Sequence, residues 1–158
     1  MESFRSHDLD PARALAEAGG LEGRVTLHHV GIVCPDTSLL EAFWSLAGAD
    51  EGRSGADVEF RHVPEFQCDC YLLGTIELVV PNGPHKEGTP LHRWLLSRGR
   101  SLHHIAFEVT DLDSQCERLR ATGVPVVLDA AVQGVAGLRV NFVHPSYCGF
   151  LVELVEQT

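Results

Sequence analysis

Apolar and polar positions alternate along this chain in a pattern that is used twice. Leu27-His28-His29-Val30-Gly31-Ile32-Val33 is short, apolar and β-branched enough for a strand, and Leu102-His103-His104-Ile105-Ala106-Phe107-Glu108-Val109 reads the same way 75 residues later. Both copies reach an Asp (Asp36, Asp111), pass through a helix-like segment and stop at a Gly (Gly48, Gly123). In the first copy Leu39, Leu40, Phe43 and Leu46 recur at helical spacing, and Pro35-Asp36-Thr37 supplies the turn and cap. An internal repeat of this kind fixes the architecture before any single motif does.

Read in order, module one (25–80) is a strand over 25–33, a helix over 39–46, a Gly-containing polar loop over 51–56, then strands over 58–63, 68–73 and 76–80, the last two joined at Gly74-Thr75. A linker (81–100) carries a short helix over 91–97, started by Thr89-Pro90 and ended near Gly99. Module two (101–158) repeats the order: a strand over 102–109, a helix from Asp111 or Asp113 to Arg120, strands over 124–128, 138–143 and 150–155, and a loop over 130–137. Each module is therefore βαβββ, and the class is α+β. Residues 1–24 read as an appendage, with a short helix started by Asp10-Pro11 and ended by Gly19-Gly20. Residues 25–158 are expected to form one domain.

Composition narrows what such a domain can do. Hydrophobic residues at 44% and charged residues at 22% suit an ordinary globular core. Twelve Lys and Arg against 22 Asp and Glu give a formal charge of −10, which argues against a nucleic-acid or anionic-membrane surface. No apolar h-region opens the chain, no apolar run is long enough for a membrane span, and the five cysteines are odd in number and scattered. Reduced thiols and a cytoplasmic location are the expectation.

The chemistry lies in the repeat. Each module ends on a strand with Glu-Leu-Val inside it, Glu77-Leu78-Val79 and Glu153-Leu154-Val155; His29 to Glu77 is 48 residues and His104 to Glu153 is 49. Strand side chains alternate faces, so His28 shares a face with Val30 and Ile32, and His103 with Ile105, Phe107 and Val109; these are expected to face the helices. The other face carries His29 with Gly31 and His104 with Ala106, where small neighbours leave room. A Glu in an apolar strand is costly to bury unless it is paired or bound to metal. Two such Glu and two such His, brought together by a pseudo-two-fold, make a His2Glu2 site that balances the charge of a divalent ion. Mixed N and O ligands suit Zn, Ni, Co, Mn or Fe alike.

These residues give the chain a resemblance to the vicinal oxygen chelate superfamily, which takes in glyoxalase I, methylmalonyl-CoA epimerase, extradiol dioxygenases and fosfomycin-resistance enzymes. Within it the chain looks most like the methylmalonyl-CoA epimerases. The phrases that carry this are Thr89-Pro90-Leu91-His92-Arg93-Trp94-Leu95 leading to Gly99, Leu102-His103-His104-Ile105-Ala106-Phe107, and Asn141-Phe142-Val143-His144-Pro145 followed by Gly149-Phe150-Leu151-Val152-Glu153-Leu154. The resemblance implies a cupped, mostly antiparallel eight-stranded sheet around one divalent metal ion held by His29, Glu77, His104 and Glu153. It implies an epimerase or isomerase that removes a proton α to a carbonyl, with the enolate chelated by the metal, a CoA thioester as substrate and a homodimer as assembly.

The same ligand set also serves a glyoxalase-type isomerase, a lyase or a tailoring enzyme of secondary metabolism, and some relatives only sequester a drug. Glu153 and Glu77 are the candidate catalytic carboxylates. Bacterial epimerases carry a further Glu on an earlier strand of module one; counting back from Glu77 reaches Gln67-Cys68-Asp69, where no Glu stands. Asp69 and Glu59 are the substitutes the sequence offers, with Glu65 nearby. Arg139, Asn141 and His144 are candidate substrate-binding residues, Arg139 foremost because its strand is expected to line the cup; Arg61 and Arg93 are weaker. Cys68-x-Cys70 places two thiols on one strand face.

Overall fold

A computed structural model describes residues 21, 23–46, 58–84 and 86–157. The expected helix after Asp10, the Gly48 stop and the loop over 51–56 lie outside the described residues. The elements are β1 (Thr26–Val33), α1 (Ser38–Leu46), β2 (Val58–Val63), β3 (Cys68–Leu73), β4 (Ile76–Pro81), α2 (Pro90–Arg98), β5 (Ser101–Glu108), α3 (Leu112–Ala121), β6 (Val132–Gln133), β7 (Leu138–Val143), α4 (Pro145–Cys148) and β8 (Leu151–Gln157), with a 3₁₀ turn at Val135–Gly137.

Local chemistry explains the boundaries. Thr89 caps α2 by accepting from the His92 N–H, Pro90 sits where no helical N–H is needed, and Gly99 ends the helix at a φ of 64°. The Asp111 carboxylate caps α3 by accepting from Ser114 N–H.

The eight strands form one sheet in the order β2-β3-β4-β1-β5-β8-β7-β6. Module one supplies the first four and module two the last four, in mirror order. The two opening strands, β1 and β5, meet antiparallel at the seam. Only β1–β4 and β5–β8 are parallel, so the sheet is mixed and mostly antiparallel. The sheet curls until β2 and β3 approach the 3₁₀ turn beside β6, which nearly closes the cup. Its outer face in module two packs on α3 through Leu112, Cys116, Leu119, Val143, Val152 and Leu154. Its inner face is walled by Val63, Cys68, Leu72, Val79, Leu91 and Val135.

One expected strand is displaced. Over 124–128 the backbone makes only an isolated bridge, Val126 to Val143, while two residues of the segment read as a loop, Val132–Gln133, pair with β7. Pro125 has no N–H to offer a ladder, and the chain steps away from β7 between the two contacts. The Asn141 side chain fills the gap: its Oδ1 accepts from Leu128 N–H at 3.1 Å and its Nδ2 donates to Leu128 C=O at 3.1 Å. The side-chain amide thus stands in for the missing stretch of edge strand.

Candidate metal centre

Register builds the centre from two rows of cross-strand neighbours. Residues directly opposite each other on paired strands share a face. One row runs Leu72, Glu77, Gly31, His104, Leu151 across β3, β4, β1, β5 and β8. The other runs His29, Ala106, Glu153, Phe142 across β1, β5, β8 and β7. Each row holds a Glu from one module and a His from the other, separated by one small residue. The small residue lets the two long side chains close over it. A Cβ on Gly31 would stand 2.0 Å from the His104 ring, so His104 takes its position only because residue 31 has none.

The four side chains are buried and converge. One donor atom from each of His29, Glu77, His104 and Glu153 lies within 4.8 Å of all the others. His29 Nε2 is 3.0 Å from Glu153 Oε2 and 3.6 Å from Glu77 Oε2; His104 Nε2 is 3.3 Å from each. The two Nε2 atoms are 3.2 Å apart. Glu153 Oε2, although close to both rings, has no well-directed hydrogen bond. Four donors that face one point, one of them left orphaned, are what a divalent ion would satisfy and what pairwise hydrogen bonding does not. The N2O2 donor set fits such an ion.

Without an ion the cluster holds itself together electrostatically. Burial works against a charged His29, but the close carboxylates of Glu153 and Glu77 outweigh it and raise the imidazole to about 9. Burial opposes charge on His104 as well, and the same carboxylates raise it to about 10. Burial would push Glu77 up, yet His104 and His29 bring it down to about 2. Glu153 is lowered in the same way, against its own burial, chiefly by the charge of His104.

Above the centre is a cavity of about 390 Å³. Its wall is largely apolar: Val63, Phe66, Val79, Leu91, Trp94, Val135, Leu138, Val140 and Phe142 line it. Cys68 and Cys70 also face it, with Sγ atoms 4.0 Å apart. Contact with Cys68 and burial push the Cys70 thiol well up, so it presents an uncharged wall.

The other sequence candidates divide by face. His144 lines the cavity, and its Nδ1 caps α4 by accepting from Ser146 N–H. Arg139 and Asn141 alternate with the lining residues Leu138, Val140 and Phe142, and so lie on the α3 side of β7. Arg139 is clamped there by Asp113 at 2.7 Å and Glu156 at 2.8 Å. The expectation that Arg139 reaches into the cup fails because its β7 neighbours, not Arg139, occupy the inward positions. Asp69 is also on an outward position, held by His62 at 2.7 Å and Asn82 at 2.6 Å. Glu59 is in register with Leu72, which is in register with Glu77, so it stands on the cup face of β2, exposed at the rim. His103 borders the cavity and meets the Trp94 ring edge-on at 4.9 Å, so its apolar neighbour is the linker helix α2. Phe142, Trp94 and Leu138 went unread in the sequence, although the apolar alternation of 138, 140 and 142 marks that face.

Comparison with known proteins agrees with this geometry. A family model described as the glyoxalase/bleomycin resistance protein/dioxygenase superfamily matches residues 28–142. The chain is 33% identical to an ethylmalonyl-CoA/methylmalonyl-CoA epimerase of Cereibacter sphaeroides over 81% of this chain and 95% of that protein. The crystal structure of methylmalonyl-CoA epimerase from Mycobacterium tuberculosis superposes with a TM-score of 0.68 at 32% identity, covering 84% of this chain and 87% of that one. A methylmalonyl-CoA epimerase in complex with methylmalonyl-CoA and NH4+ superposes with a TM-score of 0.71 at 27% identity, covering 86% and 96%. With its tandem βαβββ modules, its paired His and Glu rows and a family match over most of its length, the chain belongs to the glyoxalase/bleomycin resistance/dioxygenase superfamily.

Proposed function

We propose that this protein is a divalent-metal-dependent epimerase acting on a small-molecule substrate of the malonyl-CoA thioester class, with methylmalonyl-CoA as the first candidate. The observation that carries the reading is the convergence of His29, Glu77, His104 and Glu153 at the floor of an apolar cup. The relatives named above point the same way. His29, Glu77, His104 and Glu153 would hold one of Zn, Co, Ni, Mn or Fe, which would supply Lewis acidity toward a carbonyl beside the α-proton.

The chain's own groups do the rest. Hydrocarbon walls exclude water and strengthen every charge at the floor. Glu153, which can keep one carboxylate oxygen for proton transfer while the other is a ligand, is the carboxylate best placed to take the α-proton from one face of the substrate, and the planar intermediate is then protonated on its other face. Glu59 is the proposed second base: it shares the face of Glu77 two strands out, roughly 10 Å away at the usual strand spacing. Glu77, whose Oε2 lies 3.6 Å and 3.3 Å from the two Nε2 atoms, serves as a fixed counter-charge. His144 meets the substrate at the cavity wall. A homodimer would cover Leu27 and Leu102, which stand exposed on β1 and β5.

The test is exchange of the α-proton of methylmalonyl-CoA in deuterated solvent. Metal-loaded protein is expected to catalyse exchange and racemisation together, and metal-stripped protein neither. Glu59→Gln should slow exchange about 10²-fold or more while leaving metal content unchanged. Absence of exchange on a panel of CoA thioesters, with activity on a hemithioacetal instead, would move the reaction to the glyoxalase type.

A further inference from the structure

Each central histidine is preceded in the chain by another, and the metal reading gives that neighbour nothing to do. The structure places the two pairs in the same contact. His28 Nδ1 lies 2.8 Å from His29 Nδ1, with the rings at 79°; His103 Nδ1 lies 3.1 Å from His104 Nδ1, with the rings at 83°. Adjacent strand residues point to opposite faces, so they can meet only through the ring nitrogen nearest the backbone, and that is the nitrogen used in all four rings.

Tautomer logic then assigns roles. In His29 and His104 the Nε2 atoms face the cluster. A nitrogen that ligates metal must offer a lone pair, so the ring proton of each sits on Nδ1. A ligating imidazole fixes its orientation by donating that N–H to an acceptor. For both rings the Nδ1 of the preceding histidine is within hydrogen-bond distance. To accept, that histidine must be neutral with its own proton on Nε2. His103 is held in place by the edge-on Trp94 ring, whose Nε1–H is fixed in turn on Ser101 Oγ at 2.9 Å.

We propose that His28 and His103 are positioning residues, each accepting the Nδ1–H of the ligand histidine that follows it and so fixing that ligand's tautomer and ring orientation. The inference rests on the metal reading above. It makes the doubled histidine, not the single one, the functional unit of each module.

Two measurements test it, both with Zn2+ as the probe. The first uses wild-type protein labelled with 15N-histidine and loaded with Zn2+. Long-range 1H–15N spectra should show His28 and His103 as Nε2–H tautomers with an accepting Nδ1; an Nδ1–H tautomer at either position overturns the proposal. The second is Zn2+ affinity by chelator competition. His28→Val and His103→Val remove the acceptor and should weaken binding about 10–100-fold. His28→Asn and His103→Asn keep an acceptor oxygen near the Nδ1 position and should restore most of that loss, which a purely structural role would not require. Valine variants that bind Zn2+ as tightly as wild type overturn the proposal. If a valine variant does not fold, the wild-type tautomers decide alone. Wild-type protein that binds no Zn2+ sinks the metal reading and this inference together; wild-type binding with the wrong tautomers, or with insensitive valine variants, sinks only the inference.

Discussion

In module one His29 looks across the β1–β5 seam at Ala106; in module two His104 looks at Gly31. The Glu of each module lies one strand beyond that small residue, so the centre has the same construction from either side. Away from it the modules diverge. β2 pairs with β3 along six residues, whereas the matching edge in module two is split into a lone bridge and a two-residue strand, with Asn141 patching the break. His103 borders the cavity under Trp94, and His28 does not line it. The contrast separates two kinds of constraint. Positions that aim a donor atom at the shared point keep residue type and spacing in both copies, while the outer strands need only cover apolar surface and close their backbone hydrogen bonds.

The largest effect is expected from removing one candidate donor on each side of the seam. His29→Ala and His104→Ala should lose bound metal alike, because each ion needs donors from both modules. Each should also cost about 3–5 kcal/mol in the metal-free protein, since two buried carboxylates lose half their counter-charge. Metal analysis and urea unfolding read both effects; a large loss on one side only would show that the modules are not equivalent at the centre.

The small residues should behave less symmetrically. Gly31→Ala puts a methyl into the His104 ring and is expected to displace that ligand, at about 1–3 kcal/mol and a clear drop in metal affinity. Ala106→Gly leaves His29 in place and should cost only about 0.5–1 kcal/mol of strand stability. Equal metal affinities in the two variants would contradict the row geometry.

Acidity gives a third test. His29 and His104 are raised from 6.5 to about 9 and about 10, so their contribution to metal-free stability is complete below pH 6.5 and disappears as pH rises through 9 to 10. Glu77 is lowered from 4.5 to about 2, so its contribution is present above pH 4.5 and disappears as pH falls through 2. A metal needs both imidazoles neutral, so binding at pH 7 should release about two protons. Calorimetry in buffers of different ionisation enthalpy counts them; no proton release would mean that the cluster is not charged as described.

The smallest effects are expected outside the rows. Asn141→Leu should cost about 1–3 kcal/mol by leaving Leu128 N–H unpaired and its C=O with Arg120 alone, with metal affinity unchanged. Arg139→Gln should cost at most about 1 kcal/mol, as Asp113 is exposed and half-buried Glu156 keeps its bond from Leu112 N–H, and should leave KM unaltered. A KM effect at Arg139 would mean that it reaches substrate after all.

The repeat made much of this legible before any coordinates. It places four strands and a helix in module one, and three strands and a helix in module two with the edge strand set at 124–128 instead of Val132–Gln133, and it singles out His29, Glu77, His104 and Glu153, because a costly Glu and an odd His recur at closely similar offsets of 48 and 49 residues. What stayed hidden depends on register and on edges. Asp69 and Glu59 could not be separated until the Pro64–Gln67 turn fixed how β2 pairs with β3. Asn141 reads as a substrate-binding candidate in the sequence, since the break it repairs leaves no mark in the apolar pattern of 124–128. For Arg139 the sequence already carries the contrary sign, since alternation puts Leu138, Val140 and Phe142 together on the inner face. The linker helix was located correctly, but that its Trp94 would meet His103 is a tertiary fact that periodicity does not carry.

The proposed centre holds one divalent ion per chain, shared between the modules. Elemental analysis of purified wild-type, His29→Ala and His104→Ala proteins measures this most directly. About one equivalent in the wild type and almost none in either variant is the predicted result. A wild type without stoichiometric metal, or a His104→Ala protein that retains it, would contradict the central claim.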